Sequence, residues 1–302
     1  MAEERRSRVW LWVLIGGGAF FVFVLAVFTL VYVSLRSGTS QLGGFGGKIG
    51  VVDLEGVILT PKETVKQLGE FAKDDSIKAI VLHINSPGGG AAASEEIYRE
   101  VRRIRDAKKK PIVASIESVG ASGAYYAASG TGKIFADNAS IVGSIGVIAE
   151  WYNYGELLRW AKLKEVVIKA GEFKDTGDPT RELTPAERQY LQGMIDDMHD
   201  QFILAVADGR NLKVEEVKAI ANGRVWTGQQ ALPMKLVDQI GDFRTAIDDT
   251  AKAAGIKGEP NLIRARKQKR TLLDLLFGDV DELLPDPAKL MEKHAAFYFL
   301  WK

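Results

Sequence analysis

An uncharged apolar run of 27 residues, positions 9–35, divides this 302-residue chain into an anchor and a body. About 20 residues of helix cross the hydrocarbon core of a bilayer, so a run of this length predicts a transmembrane helix. A cleaved signal peptide carries a shorter apolar stretch of about 7–15 residues and a small-residue cleavage site after it, and this run has neither. Arg5, Arg6 and Arg8 precede it, whereas only Arg36 and then Lys48 follow closely. The positive-inside bias therefore places residues 1–8 in the cytoplasm and the body outside it. Residues 36–48, which include SGTSQLGGFGG at 37–47, read as a Gly-rich flexible linker.

Charge and cysteine content remove several kinds of chemistry from the body. The chain has 40 Lys plus Arg against 39 Asp plus Glu, and four Arg and two Glu belong to the anchor and its flanks. The body is thus within one charge of neutrality, without the basic field that nucleic acid requires. Cysteine is absent. Disulfides, thiol nucleophiles, thiolate zinc sites and iron–sulfur clusters are excluded together, which leaves catalysis to oxygen and nitrogen groups.

Periodicity in the body alternates between two and 3.6. KIGVVDLEGVI at 48–58 reads as a strand or hairpin turning at Glu55 and Gly56, residues 64–72 as a short helix, and IKAIVLHIN at 77–85 as a buried parallel strand. A helix is expected from Ser94 with Ile97, Val101 and Ile104 on its apolar face. A strand at 111–116 and a small-residue helix at 122–129 follow, then strands at 133–137, 146–150 and 165–170. This order predicts right-handed βαβ units in an α/β domain. Thr184, Pro185 and Glu187 form a capping-box signature. The helix behind it carries a stripe of Leu191, Met194, Ile195, Met198, Phe202, Ile203 and Val206, for the core or for another subunit. We place the body domain at 49–258 and a tail at 259–302. The tail holds five basic residues in RARKQKR at 264–270 and four aromatics in AFYFLWK at 296–302. The first reads as a solvated charge run, with anionic lipid as the alternative. The second suits a docked terminus, an interfacial anchor or a flap over a site.

Two loops carry candidate chemistry. INSPGGG at 84–90 ends a strand and precedes a helix, so its glycines let backbone N–H groups approach an oxyanion. SVGASGAYYAAS at 118–129 places Ser122 between Ala and Gly at a helix start. There Ser122 is either a nucleophile beside helix-end N–H donors or a simple N-cap. A serine nucleophile needs a base. The histidines are His83, in an inward strand that suits a packed side chain, His199, in an Asp-rich helix, and His294, in the tail. A lysine serves as a base when burial disfavours its charged form. Lys174, in GEFKDTGDPTRELTPAER at 171–188, follows a predicted strand and precedes the capped helix.

With IVGSIGV at 141–147 and GRVWTGQQAL at 223–232, these motifs occur in an order and spacing that resembles the signal peptide peptidase A family, in its short single-copy bacterial form, over roughly residues 49 to 255. The resemblance implies an α/β crotonase/ClpP-like fold and a Ser–Lys dyad serine endopeptidase. Ser122 then matches the nucleophile, Lys174 the general base, and Ser144 a serine that orients the lysine. Gly89, preferred over Gly88, and Gly123 match the oxyanion hole. It further implies remnant signal peptides and other extended apolar peptides as substrates, a lipid membrane as surroundings, and a homo-oligomer, an octamer, whose sites a neighbouring subunit completes. No metal or organic cofactor is required, and no nucleic acid is expected. The location implied is a bacterial cell membrane, single-pass, with the protease domain extracytoplasmic. A caseinolytic-type peptidase of this fold would need a His after the nucleophile, and an acyl-CoA hydratase would leave the Ser–Lys pair unexplained. A membrane scaffold without catalysis, or a peptidase with other membrane-protein substrates, is the remaining alternative.

Overall fold

The computed structural model describes residues 47–107, 110–265 and 297–301, and within the N-terminal run residues 18, 21–27 and 29. The chain separates into two compact units, residues 1–44 and 45–302. In the first, the described residues are helical, with Phe21, Val22, Phe23, Leu25 and Val27 exposed. No helix among the described residues is long and apolar enough to cross a membrane. The greater part of the expected span at 9–35 and of the linker at 36–48 lies outside the described residues, as does the basic run beyond Ala265.

The second unit runs β1 (Lys48–Glu55), α1 (Lys62–Lys73), β2 (Ile77–Ser86), β3 (Gly88–Gly90), α2 (Ala91–Asp106), β4 (Ile112–Ala121), α3 (Gly123–Ser129), β5 (Ile134–Ala136), β6 (Ile141–Gly143) and β7 (Ile148–Ala149). It continues through α4 (Gly155–Trp160), α5 (Pro185–Arg210), α6 (Val214–Ile220), β8 (Val225–Thr227), α7 (Gly228–Ala231), β9 (Gln239–Ile240), α8 (Phe243–Ala253), β10 (Asn261–Arg264) and β11 (Phe297–Leu300). The main sheet has the order β10-β1-β2-β4-β5-β9, every neighbouring pair parallel, with β6 parallel to β4 and β8 antiparallel to β6. β3, β11 and β7 form a second, antiparallel sheet.

Period-two alternation in the central strands separates two cores. Val52, Leu54, Leu82 and Ile84 face one side, where Leu68 of α1, Ile97 and Val101 of α2, Tyr125 of α3 and Phe202 of α5 are buried with them. Ile49, Val51, Ala79 and Val81 face the other side, against Ala246, Ile247 and Ala251 of α8. Each fully buried Ile or Leu stabilises the fold by about 1.5–3 kcal/mol, so covering both faces accounts for the near-continuous apolar reading of 77–85.

The expected alternation of strands and helices is present, with local differences. α2 starts at Ala91, three residues before the expected Ser94, directly on the glycine loop. β4 continues past 116 to Ala121 because its register with β2 slips: Ile84 pairs with Ile116, but Ser86 pairs with Gly120. Such a bulge bends a strand and re-aims the residues at its end. The apolar stretch 165–170, expected as a strand, is irregular instead, with Ile168 95% exposed. β-propensity reflects packing on a half-buried pleated surface, and among the described residues no neighbouring strand supplies one. β10 lies past the expected boundary at 258 and pairs with β1, with Arg264 bonded to Asp53. On α5, Phe202, Ile203 and Val206 are buried, whereas Leu191, Met194, Ile195 and Met198 are not fully covered.

Candidate active site

The bulge in β4 delivers Ser122 to the turn between β4 and α3. Ser122 is 1% exposed and holds φ 54°, ψ −122°. A left-handed conformation costs a non-glycine residue about 1–3 kcal/mol and persists where its surroundings over-determine it. Here the Ser122 N–H donates to the Gly143 carbonyl at 2.7 Å, and its carbonyl accepts from the Tyr126 N–H at 2.8 Å. The hydroxyl makes no capping bond to α3, although the residue stands at the N-cap position. A strained strand-to-helix turn with an uncommitted hydroxyl is the geometry that lifts a serine nucleophile toward substrate. The capping explanation for this serine therefore does not apply.

The glycine loop lies against this turn. The Ile58 N–H donates to the Gly88 carbonyl at 2.9 Å and the Gly90 N–H to the Ile58 carbonyl at 2.8 Å. The Gly88 N–H donates to Ser86 Oγ at 3.1 Å, and Ser86 Oγ in turn donates to the Gly56 carbonyl at 2.6 Å. At Gly88 (φ +96°) a Cβ would stand 2.1 Å from the Phe299 carbonyl oxygen and 2.6 Å from the Gly123 nitrogen. At Gly123 a Cβ would stand 2.2 Å from Ser94 Oγ. Both positions thus require glycine by space, and Gly88 by conformation as well. Gly89 is directly opposite Phe299 in the small sheet. The site therefore holds Ser122, Gly89, Gly123 and a peptide carbonyl within one strand-end crevice.

Ser144 follows β6, also left-handed at φ 52°, buried, with its N–H donating to the Arg224 carbonyl at 2.8 Å. It lines a cavity of about 250 Å³ together with Gly146, Val147, Gly223, Leu300 and Trp301. Ser122 and Ser144 are linked through Gly143, which accepts from one and precedes the other.

Lys174 is placed differently. It is exposed on a turn, its N–H bonding the Gly171 carbonyl at 3.3 Å, and no hydrogen bond or ion pair joins it to Ser122 or Ser144. The expected burial of Lys174 is not provided by the described residues. The turn itself is fixed. Asp175 pairs with Lys169 and, at 3.2 Å, with Arg181, and the bond from Lys169 holds its carboxyl below the usual range. Arg181 grips Glu187 through two bonds of 2.5 and 2.8 Å, which hold the Glu187 carboxyl at about 2. Glu187 completes the capping box, accepting from the Thr184 N–H at 2.8 Å while its own N–H donates to Thr184 Oγ1 at 3.2 Å. Phe173 packs on Tyr190, ring centroids 5.3 Å apart. The turn carrying Lys174 is thereby bound to the first turns of α5. Sequence reasoning found the capping box but not its Arg181–Asp175 extension; the alternating charges at 169, 175, 181 and 187 were the available signal.

The histidines take other positions. His83 bonds Asp53 at 3.2 Å and packs beside Phe243, ring centroids 4.5 Å apart, a satisfied side chain on the α8 side of the sheet. His199 lies in α5, and His294 is outside the described residues. The aromatic segment near residue 300 forms β11, docked between β3 and β7. Of the three readings open to it, the described residues 297–301 fit the docked segment.

Known proteins match this arrangement. The model of peptidase family S49 matches residues 104–257, and the Clp protease model matches residues 59–142, in accord with a ClpP/crotonase-like α/β fold. A protein of Methanocaldococcus jannaschii named as a protease is 35% identical over 213 residues, 70% of this chain and 68% of the relative. One of Synechocystis sp., also named as a protease, is 37% identical over 238 residues, 78% of this chain and 85% of the relative. A protein of Enterococcus faecium named as a signal peptide peptidase is 37% identical over 186 residues, 62% of this chain and 54% of the relative. Family match, relatives and crevice agree, and this chain belongs to peptidase family S49, the signal peptide peptidase A family of serine proteases.

Proposed function

We propose that this serine protease is a membrane-anchored endopeptidase that degrades remnant signal peptides, with Ser122 of one copy as nucleophile and Lys174 of a neighbouring copy as general base. The observation that carries the reading is the strained, buried Ser122 with its hydroxyl uncommitted beside the glycine loop. Among the described residues the expected base does not reach this crevice: Lys174 stands on an exposed turn amid an exposed apolar segment that includes Leu163, Val166 and Ile168. A second copy covering that segment supplies the desolvation that keeps an amine neutral.

In this mechanism the neutral Lys174 amine takes the Ser122 proton as Oγ attacks the substrate carbonyl carbon. The N–H groups of Gly89 and Gly123 stabilise the oxyanion, a contribution in which one donor is typically worth about 10²–10³-fold. The Gly88 N–H is engaged by Ser86, which favours Gly89 as the donor. The ammonium protonates the leaving amine, and water then repeats the sequence on the acyl-enzyme, releasing the second product and restoring Ser122. Ser144 orients the amine from its place in the adjoining cavity. The uncharged run at 9–35 anchors the enzyme in a bacterial membrane with residues 1–8 cytoplasmic and the protease domain extracytoplasmic, which gives it access to peptides left there. An octameric ring is the assembly that the resemblance supports.

Complementation tests the shared site. Ser122→Ala and Lys174→Ala chains, each inactive alone, should regain roughly a quarter of wild-type hydrolysis when dissociated, mixed and reassembled, as random placement around a heterologous ring requires. Absence of any recovery in mixed assemblies of normal size would show that both groups act within one chain, or that Lys174 is not the base. A reporter fused after Lys302 that is active in the cytoplasm would overturn the topology.

A further inference from the structure

Ser122 is carried by a strand that changes its pairing on both edges just before the turn. Toward β2, Ile116 of β4 faces Ile84 and the next matched pair is Gly120 with Ser86, so four steps of β4 match two of β2. On its other edge β4 pairs with β5 up to Ile116 and Ala136, and with β6 from Val119 and Ile141. Glu117 and Ser118 fall between the ladders on both edges. Ser140, in the connection between β5 and β6, lies at this gap and is 2% exposed. Its Oγ bonds the Glu117 carbonyl and lies 3.3 Å from that of Ile116, while the Asp137 N–H donates to it at 2.9 Å. The backbone of Ser140 is held as well: its N–H donates to the Asp137 carbonyl at 3.1 Å, and its carbonyl accepts from the Gly228 N–H at 2.8 Å. Further along the same segment, the Gly143 carbonyl accepts the Ser122 N–H. Residues 140–143 therefore hold β4 at 116–117 through a side chain, at 119–121 through a ladder and at 122 through a backbone bond.

We infer that Ser140 is a positioning residue for the nucleophile: its hydroxyl locks the register slip of β4, and with it the left-handed turn that presents Ser122. The inference rests on the reading of Ser122 as nucleophile and names a residue outside the crevice on which the placement of that serine depends. Strand carbonyls need a partner, and where a ladder is interrupted a side chain can supply it. Ser140 has one proton to donate and two adjacent carbonyls to receive it, so its hydroxyl grips the strand at the point of the slip. Without that hydroxyl the two carbonyls and the Asp137 N–H lose this partner, and β4 is free to re-pair toward an unslipped register. Such a shift moves Ser122, which lies five residues beyond Glu117. Displacing a reacting group by about 1 Å lowers a rate by roughly 10²-fold. A serine that merely filled space in the core would change the rate only as far as it changed the folded fraction.

The test compares the full wild-type chain in detergent with Ser140→Ala, Ser140→Cys and Ser140→Thr, and with Thr250→Val as a control. Thr250 is fully buried and its hydroxyl donates to the Ala246 carbonyl at 2.6 Å within α8, so its loss removes one buried bond away from the slip. Two quantities are read. One is the covalent step of Ser122 labelling by a fluorophosphonate, separated from reagent binding by saturation; the other is amide exchange over residues 117–126. Ser140→Ala should slow the covalent step roughly 10–100-fold with reagent binding unchanged. It should also speed exchange of that segment about tenfold, the factor that one buried hydrogen bond supplies. Ser140→Thr keeps the hydroxyl and should restore both. Thr250→Val should lower the unfolding midpoint by a few degrees, as a loss of about 1 kcal/mol does, and leave both quantities unchanged. Ser140→Cys keeps the volume with a weaker donor and should fall between Ala and wild type, so it decides the question if the Ala variant does not fold. A wild-type covalent rate in Ser140→Ala or Ser140→Cys would overturn the inference, as would an equal slowing by Thr250→Val. If wild-type Ser122 is not labelled at all, the nucleophile reading falls and exchange decides the clamp alone: faster exchange in Ser140→Ala supports it, and unchanged exchange overturns it.

Discussion

Ser122 sits in a turn held from β4, β6 and α3 at once, in a conformation that only such bracing sustains. Lys174 sits in a turn tied to α5 by Asp175, Arg181 and Glu187, yet open to solvent and near exposed apolar side chains, Trp160 being 83% exposed. The first region is complete within one chain. The second is fixed in its backbone and exposed in its surroundings. The contrast teaches that a catalytic serine needs close placement of its backbone, which local packing provides, whereas a lysine base needs removal from water, which a surface turn acquires only when something covers it.

The largest expected effect removes one of the two proposed reacting groups, one from each region. Ser122→Ala should lower hydrolysis of a fluorogenic peptide by roughly 10⁴-fold or more and abolish labelling by a fluorophosphonate. Lys174→Arg should be nearly as inactive, because guanidinium does not release its proton at accessible pH. Wild-type turnover in either variant would end the corresponding assignment. Next, Ile168→Asp attacks the environment of the second region alone. It should cut activity by about 30-fold or more, the weight of an interface hot spot, and reduce assembly size in sedimentation, with thermal unfolding of the body little changed. Full activity in a dissociated Ile168→Asp chain would mean that no partner is needed.

A smaller effect is expected from Ser144→Ala, which in the proposed mechanism removes the hydroxyl that orients the lysine amine and leaves the base in place. A loss of about 10–100-fold in kcat with little change in KM is expected, and a loss equal to that of Lys174→Ala would make Ser144 a reacting group itself. The smallest concerns the tie between the lysine turn and α5. Glu187, held at about 2 in the folded chain, contributes stability fully present above the ordinary glutamate range near 4.3 and lost as pH falls from there through 2. Glu187→Gln should therefore lower the unfolding midpoint at pH 7 by a few degrees, about the shift that 1 kcal/mol gives a domain of this size. The difference from wild type should shrink below pH 4. A difference independent of pH would assign the loss to packing at the cap and not to the charge.

Much of this was legible because it is local. The capping box at Thr184 and Glu187, the apolar face of α2 and the inward strands at 77–85 and 111–116 are set by residues a few positions apart, and the structure contains each. The two glycine–serine motifs likewise announced a crevice, since only short side chains permit backbone approach at Gly88 and Gly123. Other features had no local signal. The apolar stretch at 165–170 has the composition of a strand, but a strand forms only where an edge receives it, and the edge depends on residues far away in the chain. The register slip between β2 and β4, which aims Ser122, depends on pairing across more than thirty positions.

Sequence alone thus determined the order of strands and helices, the chemical candidates Ser122, Ser144, Lys174, Gly89 and Gly123, and the separation of an apolar N-terminal run from a neutral body. Tertiary structure alone decided that Ser122 is strained and free of its cap, that Lys174 lies open on the surface, and that β11 enters the crevice with Phe299 against Tyr126 and Phe202. The physical reason is one of range. Periodicity and capping are satisfied by neighbours in sequence, while strain, burial and strand insertion are properties of contacts that form only when distant segments are brought together.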